Sequence, residues 1–368
     1  MYKILRQIVK NIIDNLIVLE CRFVRQEVHI KKRVLIFRKD VLGDFVIFLP
    51  TIKYYREYYK DYEISLVVNS ISMDLVPLFS FIDDIIVFNQ KKFRTNFWYR
   101  RSFINTLARK GFDVAIYPVY SREKIGDLIM KATRAPRVLD FKTITVPEGL
   151  NELDKNMVFV SKVVGKSCEA LFPTVDTLLL DENGFKKISR ENKLEPKKYV
   201  VLVPGSGATY KMWQLDKMAE VADYFIDKGL EVVLCGTRDE RTLGEEITRQ
   251  SKHKDQIVNL IGETNLPTLA HLLKNAKLYF GNDTGTLHLA VAVGTPAIAI
   301  IGGGHFGRFF PYGNLNMNRI VFDPDMKCKG DEWRCAENVA KGEPAPCIRD
   351  ITTAMAKREI DDVLLVLG

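Results

Sequence analysis

The chain has 368 residues, 47% of them apolar and 27% charged, with a formal net charge of +8. That length suits two domains better than one, and the balance is that of a soluble globular protein rather than a disordered one. No run approaches the roughly 18 apolar residues that would span a bilayer. Asp14 and Glu20 interrupt the apolar residues of the start, and no small-residue cleavage site follows, so no signal peptide is expected.

Residues 1–30 carry Ile4, Leu5, Ile8, Val9, Ile12, Ile13, Leu16 and Ile17 at helical spacing, with Lys3, Arg6, Lys10 and Asn11 between them. Residues 1–33 hold eight Lys/Arg against three acids. Such a basic amphipathic helix either lies on an anionic membrane or packs on its own protein. From Arg33 the chain alternates. Apolar runs at Val34–Phe37, Ile64–Val68, Ile85–Phe88 and Val114–Val119 read as strands, and Asp44–Tyr59 and Asn96–Arg109 as helices. Residues 91–110 hold seven Lys/Arg and no acid, mixed with Phe93, Phe97, Trp98, Tyr99 and Phe103. This segment is either a solvated basic face or a surface for an anionic partner.

The polar stretch 181–198 contains Asn183-Gly184 and Pro196 and reads as the inter-domain region. Alternation then restarts with strands Tyr199–Val203, Glu231–Cys235, Ile257–Leu260, Leu278–Phe280 and Ala297–Ile301. Helices Leu215–Asp227, Asp239–Ser251 and Leu266–Asn275 fall between them, and Ile351–Leu367 closes the chain. The expected fold class is α/β, with two Rossmann-like doubly wound domains facing a central cleft. The expected divisions are a helix at 1–30, a first domain at 31–180, a connection at 181–198 and a second domain at 199–350. A last helix at 351–368 could pack back on the first domain.

Four strand-to-helix junctions can carry chemistry. Arg38-Lys39-Asp40-Val41-Leu42-Gly43-Asp44 follows the first strand. Asp44 falls in the first helical turn, where the dipole favours an ionised carboxylate. It either caps that helix or accepts a proton from an attacking hydroxyl, and Asp40 is a second candidate base. Pro204-Gly205-Ser206-Gly207-Ala208-Thr209-Tyr210-Lys211 offers backbone and hydroxyl donors from Ser206 and Gly207, and Lys211 adds a point charge for phosphate. Cys235-Gly236-Thr237-Arg238-Asp239-Glu240 offers a carboxylate, Asp239, for ribose hydroxyls or for a cap. Gly281-Asn282-Asp283-Thr284-Gly285 opens a small-residue helix, whose unpaired amides favour an anion. His288 lies one turn beyond Thr284 on the same face.

Other patterns point away from common chemistries. Gly165-Lys166-Ser167 lacks the first glycine of a phosphate loop, and no Gly-x-Ser-x-Gly elbow occurs. Gly302-Gly303-Gly304-His305-Phe306-Gly307 fits a dinucleotide fingerprint, but no helical pattern follows, so the match reads as chance. Asp323-Pro324-Asp325 reads as a turn, and no metal is expected. Cys328, Cys335 and Cys347 do not have zinc-finger spacing; they either bind a metal, pair in part, or serve as small packing residues in a reduced cytoplasm, the last being the preferred reading.

Taken in order, the junctions resemble glycosyltransferase family 9, the bacterial heptosyltransferases of lipopolysaccharide core assembly. The shared positions are Arg38, Asp40, Gly43, Asp44 and Pro50, then Pro204, Gly205, Lys211 and Trp213. They continue through the Asn282–Pro296 motif, Pro311-Tyr312-Gly313 and Cys347–Ile351. The resemblance implies a GT-B enzyme that is inverting and metal-independent, with no cofactor and a nucleotide-sugar, ADP-linked by preference, as donor. It implies Asp44 as base and Lys211 as the neutraliser of the departing diphosphate. Asp283, Thr284, Gly285 and His288 would order the donor, with Ser206, Gly207 and Asp239 around it.

A lipid-linked anionic glycan is the implied acceptor, met by Asp40, Arg100 and Arg101, with the enzyme peripheral at the cytoplasmic face of the inner membrane and no nucleic-acid partner. Two features depart from the family: Arg238 stands near the place of a frequent Glu, and Gly302–His305 replaces a Gly-x-Thr-x-Pro run. The competing readings are a nucleotide-sugar 2-epimerase, for which no acid/base set is evident, and a non-catalytic nucleotide-sugar or membrane-binding protein.

Overall fold

A computed structural model describes residues 2–78, 81–121, 124–169, 171–175 and 180–368. The chain divides into two compact units: residues 1–41, 50–150 and 154–170 form one, and 42–49, 151–153 and 171–368 the other.

In the first unit, α1 (Tyr2–Cys21) leads into β1 (Arg33–Arg38). The next helix, α2 (Leu42–Phe48), belongs to the second unit. The first unit resumes with α3 (Ile52–Tyr58), β2 (Glu63–Asn69), β3 (Asp84–Phe88), α4 (Gln90–Thr95) and α5 (Phe97–Lys110). It continues through β4 (Val114–Tyr117), α6 (Lys124–Thr133), β5 (Arg137–Asp140) and α7 (Glu152–Val164), whose first two residues belong to the second unit. The single helix expected over Asp44–Tyr59 is two, because Pro50 has no N–H to continue the ladder and Leu49–Thr51 tightens into a 3-10 turn. The sheet runs β3-β2-β1-β4-β5, all parallel. With right-handed crossovers, the reversal of order at β1 puts helices on both faces.

The core holds Leu35, Phe37, Phe88, Ile104, Leu107 and Tyr117, and one side of α1 joins it through Ile17 and Cys21. The opposite side of that helix leaves Leu5, Ile12, Leu16 and Leu19 exposed. The side chains of residues 1–4 and 6–10, including Lys3, Ile4, Arg6, Ile8, Val9 and Lys10, lie outside the described residues.

The second unit contains α8 (Glu182–Glu191), β6 (Tyr199–Val203), α9 (Leu215–Asp227), β7 (Glu231–Leu234), α10 (Arg241–Gln250) and β8 (Ile257–Asn259). Then come α11 (Leu266–Asn275), β9 (Leu278–Asn282), α12 (Gly285–Ala292), β10 (Ala297–Ile300), β11 (Asn318–Val321), α13 (Pro346–Arg349) and α14 (Thr353–Leu367). The sheet is again parallel, in the order β11-β10-β9-β6-β7-β8. The order reverses between β6 and β9, so the loops that leave these two strands flank the crevice where open α/β sheets bind ligands.

The polar stretch at 181–198 contains α8. Phe185 stacks on His271 of α11, with centroids 4.6 Å apart, and Asp181 caps α8 while accepting from Thr268 Oγ1 at 2.6 Å. The last helix packs on its own unit, correcting the expectation that it returns to the first. Ala356, Ile360 and Val363 are buried in the second core, and Arg319 of β11 donates to Glu359 at 2.7 Å.

Candidate functional site

The site is built in the second unit. β6 and β9 are fully buried strands that end in polar loops, and Asn282 ties the two loops together. Its side-chain oxygen accepts from Trp213 N at 3.0 Å, and its amide donates to Pro204 O at 2.7 Å. Trp213 is itself buried, with its indole N–H on Ile351 O at 3.1 Å. Asn282, wholly buried, thus fixes the shape of the Lys211 loop. At the end of β6 the Ser206 hydroxyl is buried and has no hydrogen-bond partner among the described residues, and the space around Gly207 is open.

Lys211 and Asp283 face one electrostatic neighbourhood. Burial pushes the Lys211 ammonium below the ordinary lysine range, Asp283 and Asp44 pull it back up, and Arg308 adds to the downward push. Burial pushes Asp283 above the usual carboxylate range, and Lys211 opposes that. The Lys211 Nζ sits 4.9 Å from the centroid of the Trp333 ring. Thr284 is the extended residue before α12, and its hydroxyl makes no cap; Oγ1 lies 3.4 Å from Tyr279 Oη. The first amides of α12 therefore have no side-chain acceptor from Thr284.

Asp44 reaches this neighbourhood because α2 packs against α12. Two glycines permit the close approach. A Cβ on Gly43 would stand 2.8 Å from His288 Cδ2, and one on Gly285 would stand 2.6 Å from Leu42 Cβ. Gly43 thus serves helix packing as well as the turn inferred from the sequence.

His288, expected to help order the donor, is buried. The ring lies parallel to Tyr312 (4° between planes), Nδ1 is 3.0 Å from the Tyr312 hydroxyl, and Nε2 is 3.9 Å from Asp283 Oδ1. Burial lowers its pKa to about 3, so the ring is neutral. It acts as a wedge that sets Asp283 and α2, and Tyr312 is a partner that the local pattern did not reveal.

The remaining expected residues divide. Asp239 is exposed, and the carboxylate over the loop is that of Glu240. It accepts from Thr237 N at 2.7 Å and leaves no room for a Cβ on Gly205. In the first unit, Asp40 is paired with Arg38 Nε at 2.8 Å, so its charge is already matched. Arg100 and Arg101 do not present free guanidinium groups to an acceptor. Arg100 is buried on Asp14 at 2.6 Å and donates to Phe93 O, and Arg101 grips Glu20 through two nitrogens. The two acids that interrupt the apolar start are the anchors of α1.

The glycine run also has a physical reason. Side chains at Gly302 and Gly304 would strike the Trp333 ring, and one at Gly303 would strike Cys328 Sγ. His305 and Arg308, which follow the run, border Lys211. Burial, Lys211 and Arg308 lower the His305 pKa to about 4, and Arg308 donates to Glu152 at 2.9 Å. The late cysteines meet rather than merely pack: one sulfur from each of Cys328, Cys335 and Cys347 lies within 4.8 Å of the others.

The family model for glycosyltransferase family 9 (heptosyltransferase) matches residues 133–337, more than half of the chain. Lipopolysaccharide heptosyltransferase 3 of Escherichia coli K12 is 37% identical over 135 residues, which are 36% of this chain and 39% of that protein. The lipopolysaccharide core heptosyltransferase OpsX of Haemophilus influenzae is 24% identical over 310 residues, 80% of this chain and 86% of that protein. The solved structure of E. coli ADP-heptose LPS heptosyltransferase II aligns with a TM-score of 0.70 over 91% of this chain and 99% of that one. At 17% identity, that likeness speaks to the fold, two Rossmann-like halves of GT-B type.

Proposed function

The chain belongs to glycosyltransferase family 9, and from that premise we propose that it transfers a heptose from an ADP-heptose donor to a lipid-linked anionic glycan such as lipopolysaccharide core. The observation that carries this reading is the packing of α2 on α12. It supports this reading because Asp44, like Asp283, acts electrostatically on Lys211, and because Gly43, beside Asp44, approaches Gly285 at the start of α12. One carboxylate for the acceptor and a cationic cradle for the leaving group are the two requirements of an inverting displacement.

In this mechanism Asp44 takes the proton of the acceptor hydroxyl as its oxygen attacks the anomeric carbon from the face opposite the nucleotide. The bond from that carbon to the diphosphate oxygen breaks, and its electron pair leaves with ADP. Lys211 and the positive end of α12 stabilise the charge that accumulates there, the role a divalent cation plays in other transferases. Charge developing beside a half-buried lysine favours its ammonium form, which offsets the cost of burying it. Ser206, whose hydroxyl makes no hydrogen bond among the described residues, and Glu240, above Gly205, would meet the nucleotide.

The decisive test is Asp44→Ala. ADP binding is expected to stay within about twofold, while transfer falls by roughly 10²–10⁴, the range of a lost general base. Near wild-type transfer would remove Asp44 from the mechanism. Lys211→Met is expected to weaken both ADP binding and transfer, and omitting magnesium is expected to leave the rate unchanged.

The acceptor side rests on the first unit. Its exposed apolar residues on α1, with Phe97 and Trp98 exposed beside Lys91 and Lys92, suit the interface of an anionic membrane. No helix among the described residues is long and apolar enough to cross a membrane. Ile12→Glu with Leu16→Glu is expected to abolish co-sedimentation with phosphatidylglycerol vesicles. Unchanged sedimentation would exclude α1 as the contact.

A further inference from the structure

Between the end of β11 at Val321 and the start of α14 at Thr353, the chain makes only a 3-10 turn (Arg334–Asn338) and the one-turn helix α13. So long a connection with so little regular structure needs another source of order. Cys328, Cys335 and Cys347 come from three separate points along it, and their sulfurs converge within 4.8 Å. We infer that these three thiols hold one thiophilic first-row metal ion, with zinc as its representative, and that the ion braces the floor beneath Lys211.

Three observations support a built site. First, the spacing is near that of a thiolate shell: a tetrahedral ion with Zn–S bonds of about 2.3 Å sets its sulfurs about 3.8 Å apart, so the present cluster closes by no more than about 1 Å. Second, the backbone is arranged around the sulfurs. Gly303 N–H donates to Cys347 Sγ at 3.3 Å, and a Cβ on Gly303 would stand 2.4 Å from Cys328 Sγ. Asp331 orders the turn, accepting from Trp333 N at 2.9 Å and Cys335 N at 2.8 Å. Third, a disulfide uses two thiols and strands the third, whereas one ion uses all three. Three soft sulfur ligands select zinc or iron over magnesium or calcium. With both Asp331 oxygens engaged, the fourth position falls to water, which the half-buried Cys328 and Cys335 leave room for.

The consequence reaches the donor site through Trp333. Glu332 and Trp333 adopt positive φ (54° and 67°), which turns the indole onto Gly302 and Gly304 and beneath the Lys211 ammonium. Cys328 and Cys335 flank that turn. An ion that joins them to Cys347 therefore fixes the surface on which Lys211 rests. This role is independent of which sugar or acceptor the protein uses.

The test uses the full-length protein, reduced and stripped with a chelator. Titration with Co(II) is expected to saturate at one equivalent with an intense sulfur-to-cobalt charge-transfer band, and one equivalent of Zn(II) is expected to bleach it. Bound zinc is expected to protect three of the six thiols from alkylation. Cys328→Ser and Cys335→Ser, both at half-buried positions, are expected to weaken Zn(II) binding at least tenfold, whereas Cys168→Ser leaves it unchanged. A wild-type protein with no thiolate–cobalt band overturns the inference without recourse to any variant. So does a band that survives in the Cys328→Ser, Cys335→Ser double variant, or a disulfide between two of the three in protein isolated without oxidant.

Discussion

His288→Gln tests the reading of His288 as a buried, neutral wedge. The ordinary histidine value is 6.5, and burial lowers that of His288 to about 3. Between those values the unfolded chain holds a proton that the folded chain refuses, so stability rises with pH across the window and is lost as pH falls through it. At 1.36 kcal/mol per pH unit, moving from pH 7 to pH 4 removes about 3 kcal/mol from the wild type through this group alone. Gln does not titrate, so His288→Gln loses nothing by this route. It does lose the contacts with Tyr312 and Gly43, an offset that does not depend on pH.

The measurement is urea unfolding of both proteins at steps from pH 7 to pH 4, followed by tryptophan emission and circular dichroism. His305, lowered to about 4, and the carboxylates contribute to both proteins and cancel in the difference. The wild type is expected to be the more stable at pH 7, and its advantage should shrink by about 3 kcal/mol at pH 4. A change in that difference of less than about 1 kcal/mol would refute the buried neutral state.

Gly43→Ala forces a methyl to 2.8 Å from His288 Cδ2 and 3.4 Å from Gly285 Cα. Overpacking of this kind costs about 1–3 kcal/mol and should displace α2, lowering kcat more than it weakens ADP binding. Adding His288→Ala should restore part of the lost stability, measured as a double-mutant cycle. Asp14→Ala leaves the buried Arg100 charge uncompensated and is expected to cost about 3 kcal/mol, while Glu20→Ala, at a pair near the surface, should cost less than about 1 kcal/mol. Equal losses in thermal or urea unfolding would contradict that distinction.

What was legible in the sequence followed from local pattern. Strand β6 and helices α9 and α11 begin and end where their apolar spacing predicts, because each buries a continuous face. The strands that escaped notice, β5 (Arg-Val-Leu-Asp) and β11 (Asn-Arg-Ile-Val), are four-residue sheet edges in which polar residues break the apolar run. Helix α8 escaped because its only buried residue is Phe185; its stability depends on α11, not on its own composition. The same limit explains the arginines. Nothing near residues 100 and 101 announces Asp14 and Glu20, more than eighty residues earlier, so a folded ion pair read as an open basic face.

The Asn282–Pro296 segment shows how a motif can be legible while the roles of its parts are not. Asn282–Pro296 stands out because a strand end, a helix start and a strand restart need small and polar residues in fixed order. Yet Thr295 spends its hydroxyl on Leu273 O, Asn282 braces the Lys211 loop, and His288 wedges α12 against α2. Of the motif's side chains, Asp283 carries charge into the neighbourhood of Lys211, and Thr284 and Gly285 bring the helix start. The motif is therefore mostly scaffold. It also packs on α2, the helix that carries Asp44, where Gly43 and Gly285 let two backbones approach. The proposed base and leaving-group cradle would then be held by one packed element pair, so under that proposal a change in the packing should alter catalysis before it alters donor affinity.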